Sequence, residues 1–213
     1  LGSLIEVQQV SKRFGAVQAL GEISLSVPSG GSLALRGPSG SGKTTLLRLL
    51  CGLEAPDHGQ IALDGQVVSQ PGRLMPPWQR GMGAVFQKPA LWPHLTVRQN
   101  AAFGLAGWEK HQASARLDEL LEAVGLSRLA GRYPHQLSGG EAQRAALVRA
   151  LAPCPPILLL DEPFANLDPA LRMAMLAFVQ QIQQAEGATL ILVAHDDESA
   201  AICAQMMYLK REI

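Results

Sequence analysis

The sequence predicts an α/β chain: a parallel sheet flanked by helices, with an antiparallel β piece early and a helical insertion in the middle. Two runs carry the parallel sheet, residues 157–160 (Ile-Leu-Leu-Leu) and 189–194 (Thr-Leu-Ile-Leu-Val-Ala). They are apolar almost throughout, as strands buried on both faces require, whereas a strand with one wet face alternates. The third observation is the stretch 32–50, where a short apolar strand, a Gly-rich turn and a helix-like segment follow one another directly.

The elements follow in chain order. Residues 4–10 alternate well enough for a strand, and 23–27 read as another, closed by Pro28-Ser29-Gly30-Gly31. Residues 32–36 form the strand before the Gly-rich turn, and 43–50 the helix after it. Asp64-Gly65 stands between Ile61-Ala62-Leu63 and Gln66-Val67-Val68, a strong hairpin signal. Residues 70–79 are rich in Pro and Gly and read as a loop, and 83–86 return to strand. From about 97 to 152 the pattern is helical: Leu117, Leu120, Leu121 and Val124 fall at i, i+3, i+4 and i+7. Leu171, Met175, Phe178, Val179 and Ile182 make a second apolar stripe, read as core packing.

A length of 213 residues fits one domain with a substantial core. The 18 basic and 18 acidic residues cancel, so the large basic field that grips nucleic acid is absent, and no nucleic-acid partner is expected. The longest apolar runs fall far short of the roughly 20 residues of a membrane-spanning helix, so a membrane role has to come through a partner. Cys51, Cys154 and Cys203 show neither disulfide pairing nor Cys-x-x-Cys spacing, which suits a reducing compartment. Nothing at the N-terminus reads as a signal peptide. His58, His94, His111 and His135 share no metal-ligand spacing.

The chemistry starts at Gly37-Pro38-Ser39-Gly40-Ser41-Gly42-Lys43-Thr44, followed by Thr45. This fits G-x-x-x-x-G-K-[ST] in the strand–turn–helix context that the motif requires. Glycines let the backbone curl so that successive N–H groups face phosphate oxygens, and the helix N-terminus adds positive potential. Lys43 is expected to reach the β and γ phosphates, and the Thr44 hydroxyl to ligate Mg²⁺. The buried run 157–160 ends in Asp161-Glu162. Asp161 is placed to meet the Mg²⁺ held by Thr44, directly or through water, and Glu162 to accept a proton from an attacking water. His195 follows the strand 189–194 directly, so it too sits at the sheet's C-terminal edge, within reach of a γ-phosphate.

Leu137-Ser138-Gly139-Gly140-Glu141, with Ala142-Gln143-Arg144 after it, resembles the signature motif of ABC (ATP-binding cassette) ATPases. A Ser and two glycines at a helix N-terminus make a second anion site, for which a single protomer has no evident use. The resemblance covers essentially the whole chain. It implies a P-loop NTPase (RecA-like) parallel-sheet core, with an antiparallel β subdomain and a helical signature subdomain. The core and β subdomain would comprise about 1–86 and 153–213, and the helical subdomain about 87–152.

The resemblance implies further roles. Two copies pack head to tail, and Ser138, Gly139 and Gly140 of each close on the ATP held by the other. Phe14 matches the aromatic that stacks on adenine, Gln87 the glutamine that links Mg²⁺ to the transporter partner, and His195 the switch histidine. Asn166-Leu167-Asp168 resembles the loop that crosses the dimer interface, which puts Asp168 near nucleotide. Glu141 replaces the usual Gln, Phe14 a more common Tyr, and Ala194 a frequent Thr or Ser. Of the three, Glu141 bears most on chemistry, because it adds a negative charge near the partner's nucleotide.

The stretch 83–105 is most similar to bacterial importers serving sugars, sulfate, iron, polyamines or thiamine. The implied protein is a Mg²⁺-dependent ATPase on the cytoplasmic side of the plasma membrane, acting with transmembrane permease subunits and a solute-binding protein. An exporter or lipoprotein-release ATPase is the alternative within transport. A DNA-repair or chromosome-maintenance ATPase would need coiled-coil or zinc-bearing insertions, and a small-molecule kinase would leave the signature motif unexplained. Trp92, in the loop after Gln87, is expected to be a wet aromatic that anchors a helix of the membrane partner.

Overall fold

The computed structural model describes residues 2–165 and 167–211, so Asn166 of the expected interface loop lies outside the described residues. A first sheet runs in the order β2 (Val17–Pro28), β1 (Ser3–Phe14), β4 (His58–Leu63), β5 (Gln66–Gln70) and β6 (Arg73–Leu74), with antiparallel neighbours throughout. The second is wholly parallel: β10 (Gln205–Tyr208), β3 (Ser32–Arg36), β9 (Thr189–Val193), β8 (Ile157–Asp161) and β7 (Met82–Val85). The helices are α1 (Lys43–Cys51), α2 (Val97–Ala102), α3 (Lys110–Ala123), α4 (Gly139–Leu151), α5 (Pro169–Glu186) and α6 (Asp197–Ala200).

The parallel sheet lies between two cores, and the period of two along each strand decides which residue enters which. Leu33, Leu35, Ile157, Leu159, Ile191 and Val193 face α1 and the apolar side of the antiparallel sheet, including Ile5, Val7 and Ile61. The alternate residues Ala34, Leu158, Leu160, Leu190 and Leu192 pack against Leu147 and Val148 of α4 and Leu176 and Val179 of α5. Each central strand is therefore apolar on both faces, which is why β8 and β9 read as continuous apolar runs.

Two expectations need correction. The first hairpin is much longer than the segments 4–10 and 23–27, because register shifts between Val7 and Val10 and between Val10 and Lys12 interrupt the alternation. The segment 70–79 is not merely a loop: it holds β6 and a single 3-10 turn, Pro77–Gln79. Arg80 fixes this segment. Its buried guanidinium donates to the carbonyls of Leu49 (3.0 Å), Leu50 (2.7 Å) and Met75 (2.9 Å) and to Ser69 Oγ (2.6 Å). It thus satisfies carbonyls at the open C-terminal end of α1 and ties that helix to the antiparallel sheet.

Candidate active site

Strand β3 delivers the chain to the Gly-rich loop, and α1 starts at Lys43 immediately after it. Gly42 caps the helix at φ 93°, and a Cβ there would sit 2.6 Å from the Ala19 carbonyl oxygen, so glycine is required twice over. Gly37 is equally constrained: at φ 146°, an added Cβ would approach Leu209 O to 2.3 Å. The buried Lys43 spans the loop, donating from Nζ to the carbonyls of Gly37 (2.8 Å) and Pro38 (3.0 Å). Its ammonium is thereby held against the first carbonyls of the Gly-rich loop.

Thr44 Oγ1 donates to Asp161 Oδ2 at 2.8 Å, so the start of α1 and the end of β8 meet. Two buried oxygens nearby, Ser41 Oγ and Asp161 Oδ1, have no hydrogen-bond partner in the protein. A phosphate oxygen at Ser41 and a hard divalent cation at Asp161 are the groups that such orphans fit. Burial raises the Asp161 carboxyl above its usual range and the charge of Glu162 adds to this; the Thr44 hydrogen bond, Lys43 and His195 oppose it. A site that disfavours its own anion in isolation favours a cation beside it.

Glu162 and His195 complete the arrangement. Asp161 is in register with Val193, so both residues leave the sheet at one level. The His195 imidazole Nε2 contacts Glu162 Oε1 directly. Ser39, Gly40, Gly42, Lys43, Thr44, Thr45, Gln87, Glu162 and His195 all line one cleft of about 440 Å³. Gly37, Pro38 and Ser41 belong to the loop at its edge, and Asp161 lies behind it.

Several expected residues stand outside this cleft. Phe14 is 47% exposed at the end of β1, with Lys12 Nζ 5.4 Å from its ring centre, but its cross-strand partner Val17 does line the cleft. Ser138, Gly139 and Gly140 form the N-terminus of α4, where none of them lines the cleft. Asp168 caps α5, its side chain accepting from the Leu171 N–H at 3.0 Å. Glu141 turns back on its own helix: its carboxylate accepts from Ser138 N–H at 2.7 Å, while Ser138 Oγ accepts from Glu141 N–H at 3.3 Å. The charge that sets this signature apart is therefore engaged in a capping box, a role that Gln also fills.

Trp92 is corrected as well. Its ring lies 4.1 Å from that of Phe103, and the Arg149 guanidinium stands 4.9 Å from it, so the indole is half-buried against its own domain.

Sequence reasoning missed three contributors. Val17, Gln18 and Ala19 line the cleft because β2 begins earlier than its alternation suggests. Buried Gln143, three residues after Gly140, donates from Nε2 to the Phe86 carbonyl at 3.1 Å, linking α4 to the residue before Gln87. Arg36, directly before the phosphate loop, faces the segment after His195. Arg36, at the end of the mostly apolar β3, was the more visible of the last two, whereas Gln143 stands beside Glu141 and Arg144 in α4 and gives no such signal.

Residues 20–165 match the sequence model of the ABC transporter family. The chain belongs to that family. Among its curated relatives is the spermidine/putrescine import ATP-binding protein PotA of Chromobacterium violaceum, 49% identical over 200 residues that make up 93% of this chain and 54% of the relative. The Fe(3+) ions import ATP-binding protein FbpC of Pseudomonas fluorescens is 48% identical over 98% of this chain and 59% of its own length. The chain thus spans little more than half the length of these relatives. A solved dimeric post-hydrolysis state of the ATP-binding cassette MJ0796, bound to ADP and Pi, superposes with TM-score 0.88 at 30% identity, covering 97% of this chain and 94% of that one. This ABC transporter family member has the cassette fold over nearly its whole described length.

Proposed function

We propose that this chain binds and hydrolyses ATP with Mg²⁺, works as a head-to-tail pair with a second copy, and powers solute import through transmembrane permease subunits. One observation carries the reading: Lys43, the Thr44–Asp161 bond and the Glu162–His195 contact converge on one cleft, while Ser138–Gly140 lie outside it. Half of the site is then supplied by the partner copy, which accounts for the second anion-binding helix N-terminus. The relatives PotA and FbpC, both import ATP-binding proteins, support import over the exporter alternative. They name different cargoes, as expected where selectivity lies in other subunits.

In this reading the adenine stacks on Phe14 beside Val17. The amides of residues 37–42 with Lys43, Thr44 and Thr45 hold the phosphates, and the partner's Ser138 and Gly140 approach the γ-phosphate from the other side, near Asp168. Thr44, Asp161 and Gln87 hold Mg²⁺, which supplies charge neutralisation at the β and γ phosphates. Glu162 accepts a proton from water as the water oxygen bonds to the γ-phosphorus and the bridging bond to ADP breaks. His195 orients against the γ-phosphate. The helical segment 87–152 carries the signature and, through Gln143 and the Phe86 carbonyl, senses the loop at Gln87.

No helix among the described residues is long and apolar enough to cross a membrane, so the chain in this reading sits peripherally on the cytoplasmic face. A solute-binding protein completes the importer. The test is light scattering of the Glu162→Gln variant with and without Mg–ATP, beside phosphate release by the unaltered chain. Doubling of the mass with ATP and Mg²⁺-dependent release lost in Lys43→Ala are expected. A mass independent of ATP over a range of concentrations refutes the paired site.

A further inference from the structure

We infer that Arg36 is a positioning residue for His195, fastening the segment that follows β9 to the strand that carries the phosphate loop. Arg36 is the last residue of β3 and directly precedes Gly37. Its guanidinium pairs with the Asp197 carboxylate through Nη1 and donates from Nη2 to the His195 carbonyl at 3.4 Å. The backbone closes the same junction, since the Ala194 N–H donates to Leu35 O at 3.1 Å. On the far side, Arg172 of α5 stands 3.8 Å from both Asp196 and Glu198. The segment 195–198 is thus gripped from two elements, and of the two arginines Arg36 is the one that reaches His195 itself.

Such a grip has a use because His195 is 48% exposed on a turn just past the sheet edge, where packing alone leaves its ring free to swing. Fixing the carbonyl fixes the Cα, and so the range within which the imidazole meets Glu162. The planar guanidinium fork presents two donors at once, one for the carboxylate and one for the carbonyl; a lysine ammonium engages as a point charge. A plain surface ion pair is the competing reading, since the Asp197 side chain is 89% exposed, and such pairs contribute little. The bond to the His195 carbonyl distinguishes the two.

The inference rests on the reading of His195 as a group that faces the γ-phosphate, so the test separates them. Chain carrying ¹⁵N-labelled histidine gives ring signals for its five histidines, with His195 assigned from His195→Ala. Arg36→Met is expected to move the His195 ring signals and leave the other four in place. It should lower kcat by roughly 10- to 100-fold, the scale on which small misplacement acts, with KM for ATP unchanged. Arg36→Lys, which keeps the charge opposite Asp197, should fall between. An unmoved His195 signal with normal kcat in Arg36→Met overturns the tether. If Arg36→Met fails to fold, Arg36→Lys decides: a shifted His195 signal with reduced kcat supports the inference, and wild-type behaviour overturns it. Normal hydrolysis by His195→Ala would overturn the reading of the site instead, and the ring signals would still report on the tether.

Discussion

The imidazole of His195 and the carboxylate of Glu162 are joined by a direct contact between Nε2 and Oε1 at the carboxyl edge of the parallel sheet. Glu162 sits at φ 49°, a left-handed conformation that non-glycine residues seldom adopt and that the surrounding structure must enforce. The proposed base is therefore held in a strained backbone position with its carboxylate engaged by the proposed phosphate sensor.

Glu162→Gln keeps the shape and a hydrogen bond to His195 but cannot accept a proton. Turnover should fall by about 10²–10⁴-fold, the usual size of a general-base contribution, while ATP affinity is retained. Single-turnover phosphate release beside equilibrium nucleotide binding measures both. A normal rate in a preparation free of contaminating ATPase would remove Glu162 from its role.

Glu141 yields a prediction with a pH sign. The Ser138 backbone N–H, its largest influence, holds the carboxyl below the usual glutamate range, helped by the Ser138 side chain and by the charges of Arg144 and Arg132. A depressed carboxyl contributes stability above its ordinary titration range and loses that contribution as the pH falls through the lowered value. The first turn of α4 should accordingly lose amide protection, corrected for intrinsic exchange, on going from neutral to acidic solution. Glu141→Ala should lose it at neutral pH, at a cost of about 1 kcal/mol or less for an exposed cap, while Glu141→Gln retains most of it. Equal protection in all three proteins would mean that the box does not hold the signature helix.

Arg80 is the feature most costly to remove. Burial drives its pKa down to about 10, so its charge is maintained against desolvation by the carbonyls and hydroxyl that it serves. Arg80→Met would take the guanidinium from the Leu50 carbonyl and from Ser69 Oγ, and would leave the Leu49 carbonyl only the Gly52 N–H at 3.1 Å, at a cost of roughly 3 kcal/mol. Urea unfolding should show a lowered midpoint, and nucleotide binding by the folded fraction should persist because Lys43 lies at the opposite end of α1. An unchanged midpoint would assign those carbonyls to water.

The parts of the fold that the sequence discloses are those where one local rule acts alone. The runs of β8 and β9 are apolar on both faces because they are buried on both faces, and Gly37 to Thr44 can be read because loop geometry dictates the residue type. Asp64-Gly65 is legible for the same reason, both residues lying at positive φ. The first hairpin is hidden by bulges that break its alternation. Arg36, Arg80 and Gln143 owe their roles to partners 30 or more residues away, such as Leu49, Leu50, Phe86 and Asp197, and no short window along the chain contains such a pair. Trp92 is half-buried because its loop folds onto α2 through Asn100, a near neighbour in sequence, and onto α4 through Arg149, a distant one.

That loop supplies the last prediction. Buried Asn100 accepts from the Trp92 N–H at 2.8 Å and donates to the carbonyls of Trp92, Leu95 and Thr96. Arg149 donates to the carbonyls of Pro89 and Ala90, so the loop is pinned at both ends and the Trp92 ring packs against Phe103 at a tilt of 32°. Beside this loop Phe103, 61% exposed, offers a partner more apolar surface than the half-buried indole packed against it. An exposed aromatic backed by a second ring is a rigid anchor for a helix from a membrane subunit, and removal of such an anchor removes about 2 kcal/mol or more from assembly. Phe103→Ala should therefore weaken binding to permease subunits held in nanodiscs by about 30-fold or more, while ATP hydrolysis by the isolated chain is retained, since the catalytic groups lie elsewhere. Trp92→Ala should weaken the same binding and also lower the unfolding midpoint, because it removes the support under Phe103 and the face on which Arg149 rests. Titration of both variants against the nanodiscs, beside thermal unfolding, separates the two roles. Full-strength binding by Phe103→Ala would place the docking surface elsewhere on the helical segment.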